Sequence, residues 1–305
     1  MANPQSYTYT AAGARTVEAK LDIADMVVRV SIEEHPILSL LPRRRVQDPN
    51  PKKVEDNLQA IDTTNYHAED SVAPAAASTA RTLNTTACQL LKKTVTINTY
   101  QQYVAQYGVG KEFDYQQTLR LIELAKDAEA FIISDQAVQL GTPANGRIWK
   151  MKGMGNIIST NTNTVANFNQ ANFEALVKAV FGTSGGNPTV CFVDLTRKLA
   201  IASWTTNVTR YTDVKDLVYN DVQTFMSAYG LSIQIRPHRY MPQSIVGNGA
   251  VAIALDLQKA GWEVLEYVPL TIEELAYTGG GKSAQIMWSL GVLPGAEKAN
   301  FAFVG

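Results

Sequence analysis

The chain has 305 residues, of which 46% are hydrophobic and 18% are charged, enough to bury one large core or two modest ones. This composition excludes disordered and collagen-like proteins. The 27 basic residues nearly balance the 28 acidic ones, which argues against a dedicated nucleic-acid binder with a positive surface throughout. The sequence contains no apolar run of membrane-spanning length and starts without a secretory signal, so we expect a soluble protein made in the cytoplasm, with no membrane partner.

The first segment is predicted to be a short amphipathic arm that ends in an apolar peg. Residues 17–30 fit a helix, because their apolar side chains recur on one helical face. Those side chains belong to Leu21, Ala24, Val27 and Val28. Pro36 and Pro42 then bracket residues 37–41, Ile-Leu-Ser-Leu-Leu, which we call the apolar peg. These side chains are too apolar to be left in water, so we expect the peg to pack against a partner.

Residues 46–94, which we call the excursion, have few large apolar side chains and are rich in Pro, Ala, Thr, Asn and Asp. A segment this long without a core face is unusual inside a compact domain, unless it packs on something outside that domain. We therefore interpret the excursion as a long pair of strands with its tip near residues 69–78. The second, returning strand of this pair has the clearer sequence pattern, since Val95 and Ile97 alternate with polar residues.

The longest helix is predicted for residues 114–140. Its apolar side chains form one stripe, made of Leu121, Leu124, Ala125, Ala128, Phe131 and Ile132. Gly141 and Pro143 are expected to stop the helix. The rod would be about 40 Å long, and its small alanine side chains would let other elements lie closely across it.

After a polar linker at residues 159–164, helices and strands alternate, which predicts a mixed α+β domain. Asn169 is placed to cap a helix that runs to residue 181, and Asp194 to cap a second helix that follows a strand at residues 189–193. Further strands are expected near residues 217–225, 231–235, 251–257, 284–290 and 300–304.

A glycine-rich stretch, Gly279-Gly280-Gly281-Lys282-Ser283, invites comparison with the phosphate-binding loop of nucleotide-binding enzymes. Ala276 stands where that motif requires glycine, and the residues after Ser283 alternate like a strand, so no helix N-terminus would face a phosphate. We predict a hairpin turn here. A nucleotide-binding enzyme that uses Gly279 to Ser283 is kept as the alternative from a different class.

The remaining catalytic patterns lack their structural context or their partners. Ser184 lies in a Gly-x-Ser-x-Gly stretch, but between a helix and a strand, the reverse of the order in hydrolase nucleophile elbows. The three histidines and two cysteines stand apart from one another: His35, His67, His238, Cys88 and Cys191. Adjacent acidic pairs such as Glu69-Asp70 are interpreted as solvated faces. The sequence therefore predicts no enzyme, no catalytic or metal-binding residue and no cofactor.

Five cations lie close together just after the apolar peg, and we call them the basic cluster: Arg43, Arg44, Arg45, Lys52 and Lys53. Such a run is either a solvated turn or an electrostatic docking site for an acidic neighbour or for DNA phosphates. The cluster lies where the peg enters the excursion, a segment that needs an outside partner. We therefore predict that the basic cluster belongs to an assembly interface.

Three stretches of the chain, together with the order of its elements, are similar to a known family. They read Ala-Asp-Met-Val-Val-Arg-Val-Ser at residues 24–31 with Pro-Ile-Leu-Ser-Leu-Leu at 36–41, Tyr-Gly-Val-Gly-Lys-Glu-Phe-Asp-Tyr-Gln at 107–116 running into Leu-Ala-Lys-Asp-Ala-Glu at 124–129, and Tyr-Gly at 229–230 to Arg-Tyr-Met-Pro at 239–242. These stretches resemble the N-terminal arm, the entry to the spine helix and an axial-domain strand pair of tailed-phage major capsid proteins of the Hong Kong 97 fold.

The resemblance implies an α+β, Hong Kong 97-like capsid fold with five parts along the chain. These are an N-terminal arm (residues 1–45), an extended β-hairpin loop (46–100), a peripheral domain with the long spine helix (101–165), a mixed α/β axial domain (166–257) and a return to the peripheral domain (258–305).

The resemblance also implies a structural major capsid, or head, protein whose copies form hexameric and pentameric rings in an icosahedral shell around double-stranded DNA. The expected partners are other copies of the chain, packaged DNA through non-specific contacts, and scaffold, portal or decoration proteins. The protein would be made in the host cytoplasm and reside in the bacteriophage virion. A cellular nanocompartment shell of the same fold, which holds cargo enzymes instead of a genome, is the nearer alternative.

Overall fold

A computed structural model describes residues 7–11, 15–19, 35–56, 63–73, 78, 81–103, 111–204, 208–210, 222–241, 250–278 and 281–305. The helices are α1 (Pro36–Leu40), α2 (Thr99–Tyr103), α3 (Glu112–Ile133), α4 (Met154–Ile157), α5 (Gln170–Gly182) and α6 (Leu195–Ser203). The strands are β1 (Tyr7–Ala11), β2 (Arg15–Ala19), β3 (Arg43–Arg45), β4 (Lys52–Glu55), β5 (Thr82–Thr85), β6 (Gln89–Ile97), β7 (Thr162–Thr164), β8 (Val190–Val193), β9 (Val208–Arg210), β10 (Val222–Met226), β11 (Ser232–Pro237), β12 (Ala250–Leu255), β13 (Glu263–Thr278), β14 (Gly281–Leu293) and β15 (Phe301–Val304).

The chain divides into two compact units. The smaller unit contains Met1–Ile32, Lys93–Ile122 and Ile272–Ile286, and the larger contains Glu33–Lys92, Glu123–Thr271 and Met287–Gly305. Within the described ranges, no helix is long and apolar enough to cross a membrane.

The smaller unit has its own small core, in which Val95 and Ile97 of β6 pack with Phe113 and Ala284. The predicted alternation of β6 is therefore confirmed. A side chain at Gly281 would place its Cβ 3.1 Å from the Ile97 carbonyl oxygen, so glycine allows the close approach of the two strands. A strand, β14, begins at Gly281 where a phosphate-binding loop would need a helix. Residues 279–280, where the hairpin turn is predicted, lie outside the described residues.

The predicted long helix is present as α3, with different ends. Its apolar stripe is confirmed, because Leu124, Ala128 and Ile132 are buried. The predicted end at residue 140 is wrong: the hydroxyl of Ser134 donates to the Phe131 carbonyl and accepts the Gln136 N–H, which gives the chain an alternative to the helical hydrogen bonds. The helix starts two residues early, at Glu112, where an acidic side chain favours a helix N-terminus.

A seven-stranded sheet lies within the larger unit, with strands in the order β7-β15-β12-β8-β11-β10-β9. Its core centres on Phe173 of α5, whose ring lies 5.1 Å from that of Phe225 and 5.2 Å from that of Phe301. Both predicted helix caps are confirmed, since Asn169 accepts the N–H of Asn172 and Asp194 accepts that of Arg197. The mixed α+β architecture is thus built by local caps and one aromatic core.

One predicted element near the start of the chain needs correction, and part of another cannot be compared with the described residues. Residues 17–19 belong to β2, which pairs antiparallel with β1, so the predicted helix at 17–30 is wrong at its start. The β-prone run Tyr-Thr-Tyr-Thr at residues 7–10 supplies a strand partner that outweighs the weak helical periodicity. Residues 20–34, where the rest of that helix was expected, and residues 217–221 of the predicted strand at 217–225 lie outside the described residues.

The excursion is partly what its composition predicts. Strands β4 and β5 pair antiparallel, which confirms a two-stranded excursion, and residues 63–73 between them are exposed. Its predicted return limb, β6, instead lies beside β14 in a four-stranded sheet of order β3-β13-β14-β6. The base of the excursion is also part of the core: its buried residues include Glu55, Thr86, Ala87, Cys88 and Gln89.

Hydrogen bonds explain why polar residues at this base are buried. The side-chain oxygen of Gln89 accepts from the Gln136 side chain at 2.8 Å and from the Met151 N–H at 3.2 Å. The Glu55 carboxylate accepts from the Asn84 side chain and from the Glu297 N–H. Buried polar groups that find such partners are tolerated in a core, which a reading of composition alone does not reveal.

Glu129 of α3 is fully buried and connects the apolar peg to the end of β11. Its carboxylate accepts the N–H groups of Ile37 at 2.7 Å and Leu38 at 2.9 Å, in the first turn of α1. It also lies 2.9 Å from Nε2 of the buried His238. The Tyr240 N–H donates a hydrogen bond to Nδ1 of His238, so the ring hydrogen lies on Nε2. The Nε2–H group therefore donates a hydrogen bond to the Glu129 carboxylate. The predicted partner of the peg is therefore the chain itself.

We expect Glu129→Ala to lower the free energy of unfolding by about 3–5 kcal/mol, because two buried backbone N–H groups and one imidazole N–H lose the carboxylate that accepts their hydrogen bonds. Urea unfolding of the purified chain measures this change. The matched control is Glu174→Ala on α5, since Glu174 is half-buried and accepts one side-chain hydrogen bond. An equal, small effect of both substitutions would show that Glu129 does not hold the peg.

Candidate assembly interface

Three residues of the basic cluster form an edge strand. Strand β3 runs parallel to β13, with Arg43, Arg44 and Arg45 opposite Val264, Leu265 and Glu266. Val264 and Leu265 are buried, and the Pro42 carbonyl accepts the Val264 N–H at 2.9 Å, so the strand is fixed immediately after the apolar peg. The arginine side chains are exposed, as is typical of charged residues that protect a sheet edge.

Two glutamates of β13 form ion pairs with three of the five cations. Glu263 lies 2.9 Å from Nε of Arg44 and 3.6 Å from Nζ of Lys53, which also donates to the Gly261 carbonyl. Glu266 lies 3.9 Å from Arg43, whose guanidinium stacks 5.5 Å from the centre of the Trp288 ring. The basic cluster is therefore partly a contact within one chain.

Arg45 and Lys52 differ from the other three cations. Both are exposed, and neither makes an ion pair with any residue that the structure describes. They line a shallow groove of about 470 Å³ between β3 and β4, together with Arg44, Val46, Gln47, Asp48, Asn50 and Pro51. Asp48 accepts the Asn50 N–H at 2.9 Å, which fixes the loop at the floor of the groove.

Sequence reasoning missed the acidic partners of the basic cluster. Glu263 and Glu266 interrupt an otherwise apolar run, Trp-Glu-Val-Leu-Glu at residues 262–266, and a charge in a buried strand is a signal that a partner is near. It also missed the contact of Glu129 with His238. The available signal was the position of Glu129 between Ala128 and Ile132 on the apolar stripe of α3.

The other candidate chemical groups are a serine in a loop and two buried cysteines. Ser184 follows α5 and precedes β8, which confirms the predicted helix-to-strand loop. Burial, and secondarily the Asp48 carboxylate, raises the pKa of the Cys88 thiol to about 12, and burial raises that of Cys191. Both thiols are thus held in their unreactive, protonated form. Among the described residues, no group of three His, Cys, Asp or Glu side chains is arranged to hold a metal ion.

Comparison with known proteins gives a consistent family and fold. The SU10 major capsid protein family model matches residues 4–305 of the chain. The major capsid protein of Escherichia phage Phieco32 is 27% identical over 118 residues, which are 39% of this chain and only 34% of that relative. The chain thus matches about a third of the length of that protein.

Solved capsid structures share the fold over nearly the whole chain. The capsid of a native GTA particle computed with C5 symmetry has a TM-score of 0.65 at 12% identity, covering 94% of this chain and 96% of that one. The holo encapsulin complex of Synechococcus elongatus has a TM-score of 0.58 at 12% identity, covering 94% and 92%. The predicted α+β, Hong Kong 97-like capsid fold is confirmed.

We expect Glu263→Gln to lower the stability of the unassembled chain by about 1 kcal/mol at low salt, since Arg44 and Lys53 lose their shared partner at a partly exposed site. The melting temperature should fall by about 2 °C, and the difference should disappear near 1 M salt. As the matched control, Arg45→Gln combined with Lys52→Gln should leave the melting temperature unchanged. A loss of stability in the control would mean that these two cations also have partners within the chain.

Proposed function

The chain belongs to the SU10 major capsid protein family, and from this premise we propose that it is the structural subunit of an icosahedral shell enclosing double-stranded DNA. The observation that carries the proposal is the match of residues 4–305 to a family of major capsid proteins. The subunit acts by self-assembly, in hexameric and pentameric rings, and is not an enzyme. It needs no cofactor for this role.

Exposed apolar side chains on the excursion support self-association. Val54 and Leu83 are opposite each other in the β4–β5 pair and are 56% and 53% exposed, so both lie on one uncovered face. Tyr66 and Val72 in the segment between the strands are 79% and 91% exposed. Apolar surface that a thin pair of strands cannot cover is buried most simply against other copies, and closed symmetry provides this for every copy.

The domain division predicted from the sequence is part of this proposal. We assign residues 1–45 to an N-terminal arm, 46–100 to the extended loop, 101–165 and 258–305 to the peripheral domain, and 166–257 to the axial domain. The shell is proposed to contact packaged DNA without base specificity and to recruit scaffold, portal or decoration proteins. The protein is made in the host cytoplasm and resides in the virion.

A nanocompartment shell is the second candidate, favoured by the fold likeness to the encapsulin complex. The family match favours a phage capsid. The contents of purified particles separate the two: a capsid encloses DNA when the packaging machinery is present, whereas a nanocompartment encloses protein. The alternative of a nucleotide-binding enzyme is disfavoured because a strand begins at Gly281, where a phosphate-binding loop would lead into a helix. We therefore expect the chain not to bind ATP.

Light scattering and negative-stain electron microscopy of the expressed chain test the proposed function. We expect closed shells, tubes or rings, formed alone or with a scaffold protein. A chain that stays monomeric at high protein concentration under both conditions would overturn the proposal.

A deletion in the excursion should separate folding from assembly. Replacing residues 57–80 with a short Gly/Ser linker leaves β4, β5 and the buried residues 86–89 in place. We expect cooperative thermal unfolding within a few degrees of wild type and at least a tenfold loss of particles by light scattering.

The matched comparison is the larger excision of residues 48–92, which removes the buried base of the excursion and should unfold the chain. Normal particle yield from the 57–80 deletion would contradict the role of the excursion in assembly.

A further inference from the structure

We propose that the groove of one subunit binds an acidic turn of the neighbouring subunit's excursion, with Arg45 and Lys52 pairing with Glu69 and Asp70. This inference rests on the proposed function, because it names the partner of the groove in the shell. It goes beyond a general role for the basic cluster, since it assigns assembly to two of the five cations and specifies their acidic partners.

The acceptor side is a defined turn. The Ser71 N–H donates to the Ala68 carbonyl at 3.0 Å, which places Glu69 and Asp70 at the two central positions of a tight turn. We call residues 68–71 the acidic turn. Both carboxylates are exposed, and no cation in the described part of the chain pairs with either. Two adjacent acids at the apex of a turn form a compact, projecting anionic site.

The groove has the complementary charge. Arg45 is contributed by β3 and Lys52 by β4, and both line the same groove without an acidic partner among the described residues. Asp48 also lines the groove, where its carboxylate accepts the Asn50 N–H. Its negative charge interrupts the positive surface that the cations form. The guanidinium of an arginine can donate two parallel hydrogen bonds to one carboxylate, and the ammonium group of a lysine can form an ion pair with a second carboxylate.

The repetition of this pair in identical copies favours a second subunit as the occupant. A groove and a turn on different parts of one chain form a heterologous contact, in which each copy binds the next in one direction. Such contacts close into rings when the rotation between copies allows it. The uncovered Tyr66 and Val72 flank the acidic turn, so docking the turn would also bury apolar surface.

DNA is the less suitable occupant of the groove. Three of the five cations already pair with Glu263 or Glu266, and the lining contains the acidic Asp48. A phosphate backbone presents a long, regular row of charges and is best matched by a row of free cations. Two free cations in a groove match two carboxylates better.

Charge reversal with rescue tests the pairing. We expect the Arg45→Glu/Lys52→Glu variant and the Glu69→Lys/Asp70→Lys variant each to reduce particle yield at least tenfold. Both should unfold at the wild-type temperature, because all four side chains are exposed. The chain that carries all four substitutions restores opposite charges in every contact, so its particle yield should return to near that of wild type.

The matched control is Lys150→Glu/Lys178→Glu, which changes the net charge equally at two exposed lysines outside the groove and should assemble normally. The pairing is overturned if the four-fold variant is folded but still does not assemble while wild type does. It is also overturned if the Arg45→Glu/Lys52→Glu variant forms normal shells that only fail to retain DNA, since the groove would then bind the genome. A wild-type chain that never forms particles would instead overturn the proposed function.

Discussion

A carboxylate buried in a protein is tolerated only where hydrogen-bond donors replace its lost hydration, and Glu129 meets this requirement with donors from two distant segments. The first turn of α1 supplies two N–H groups and His238 supplies a third donor. The apolar peg is thereby held against α3, with Ile37 and Leu38 buried. Pro42 follows the peg, and β3 starts at the next residue, so the position of the basic cluster depends on this buried contact.

The same chain separates residues that complete its core from residues that it leaves for neighbours. Glu55 and Gln89 at the base of the excursion are buried and hydrogen-bonded within the larger unit. Residues 63–73 are exposed throughout. The basic cluster divides in the same way, because Glu263 and Glu266 pair with three cations, whereas Arg45 and Lys52 form no ion pair with any residue that the structure describes. A subunit built in this manner can fold first and assemble afterwards.

The sequence alone predicted the features that depend on neighbouring residues. Asn169 and Asp194 cap their helices, and Leu124 and Ala128 lie on the buried stripe of α3, because capping and helical periodicity are set within a few residues. The α+β class and the two-stranded excursion were also predictable from pattern and composition. The likeness to a capsid family depended on the order of elements, not on any chemical motif.

Features that depend on distant residues could not be predicted. Glu129 and His238 are 109 positions apart. The position of Glu129 on the apolar stripe of α3 signals a buried charge, but nothing near it in the sequence identifies His238 as its partner. Gln89 and Glu55 are buried by hydrogen bonds that only the folded chain creates, so a polar composition wrongly suggested that the whole excursion lacks a core face. Distant contacts also accompany the local hydrogen bonds of Ser134 at the early end of α3, since the Gln136 side chain donates to Gln89 and to the Met151 carbonyl.

Amide hydrogen exchange on unassembled subunits and on closed shells tests this division between folding and assembly most directly. We expect the amides of Ile37, Leu38 and residues 86–89 to exchange slowly in both states, because the subunit already buries them. Residues 63–73 should exchange rapidly in the subunit and slowly in the shell. Equal exchange of residues 63–73 in both states, or protection of residues 86–89 only in the shell, would contradict this division.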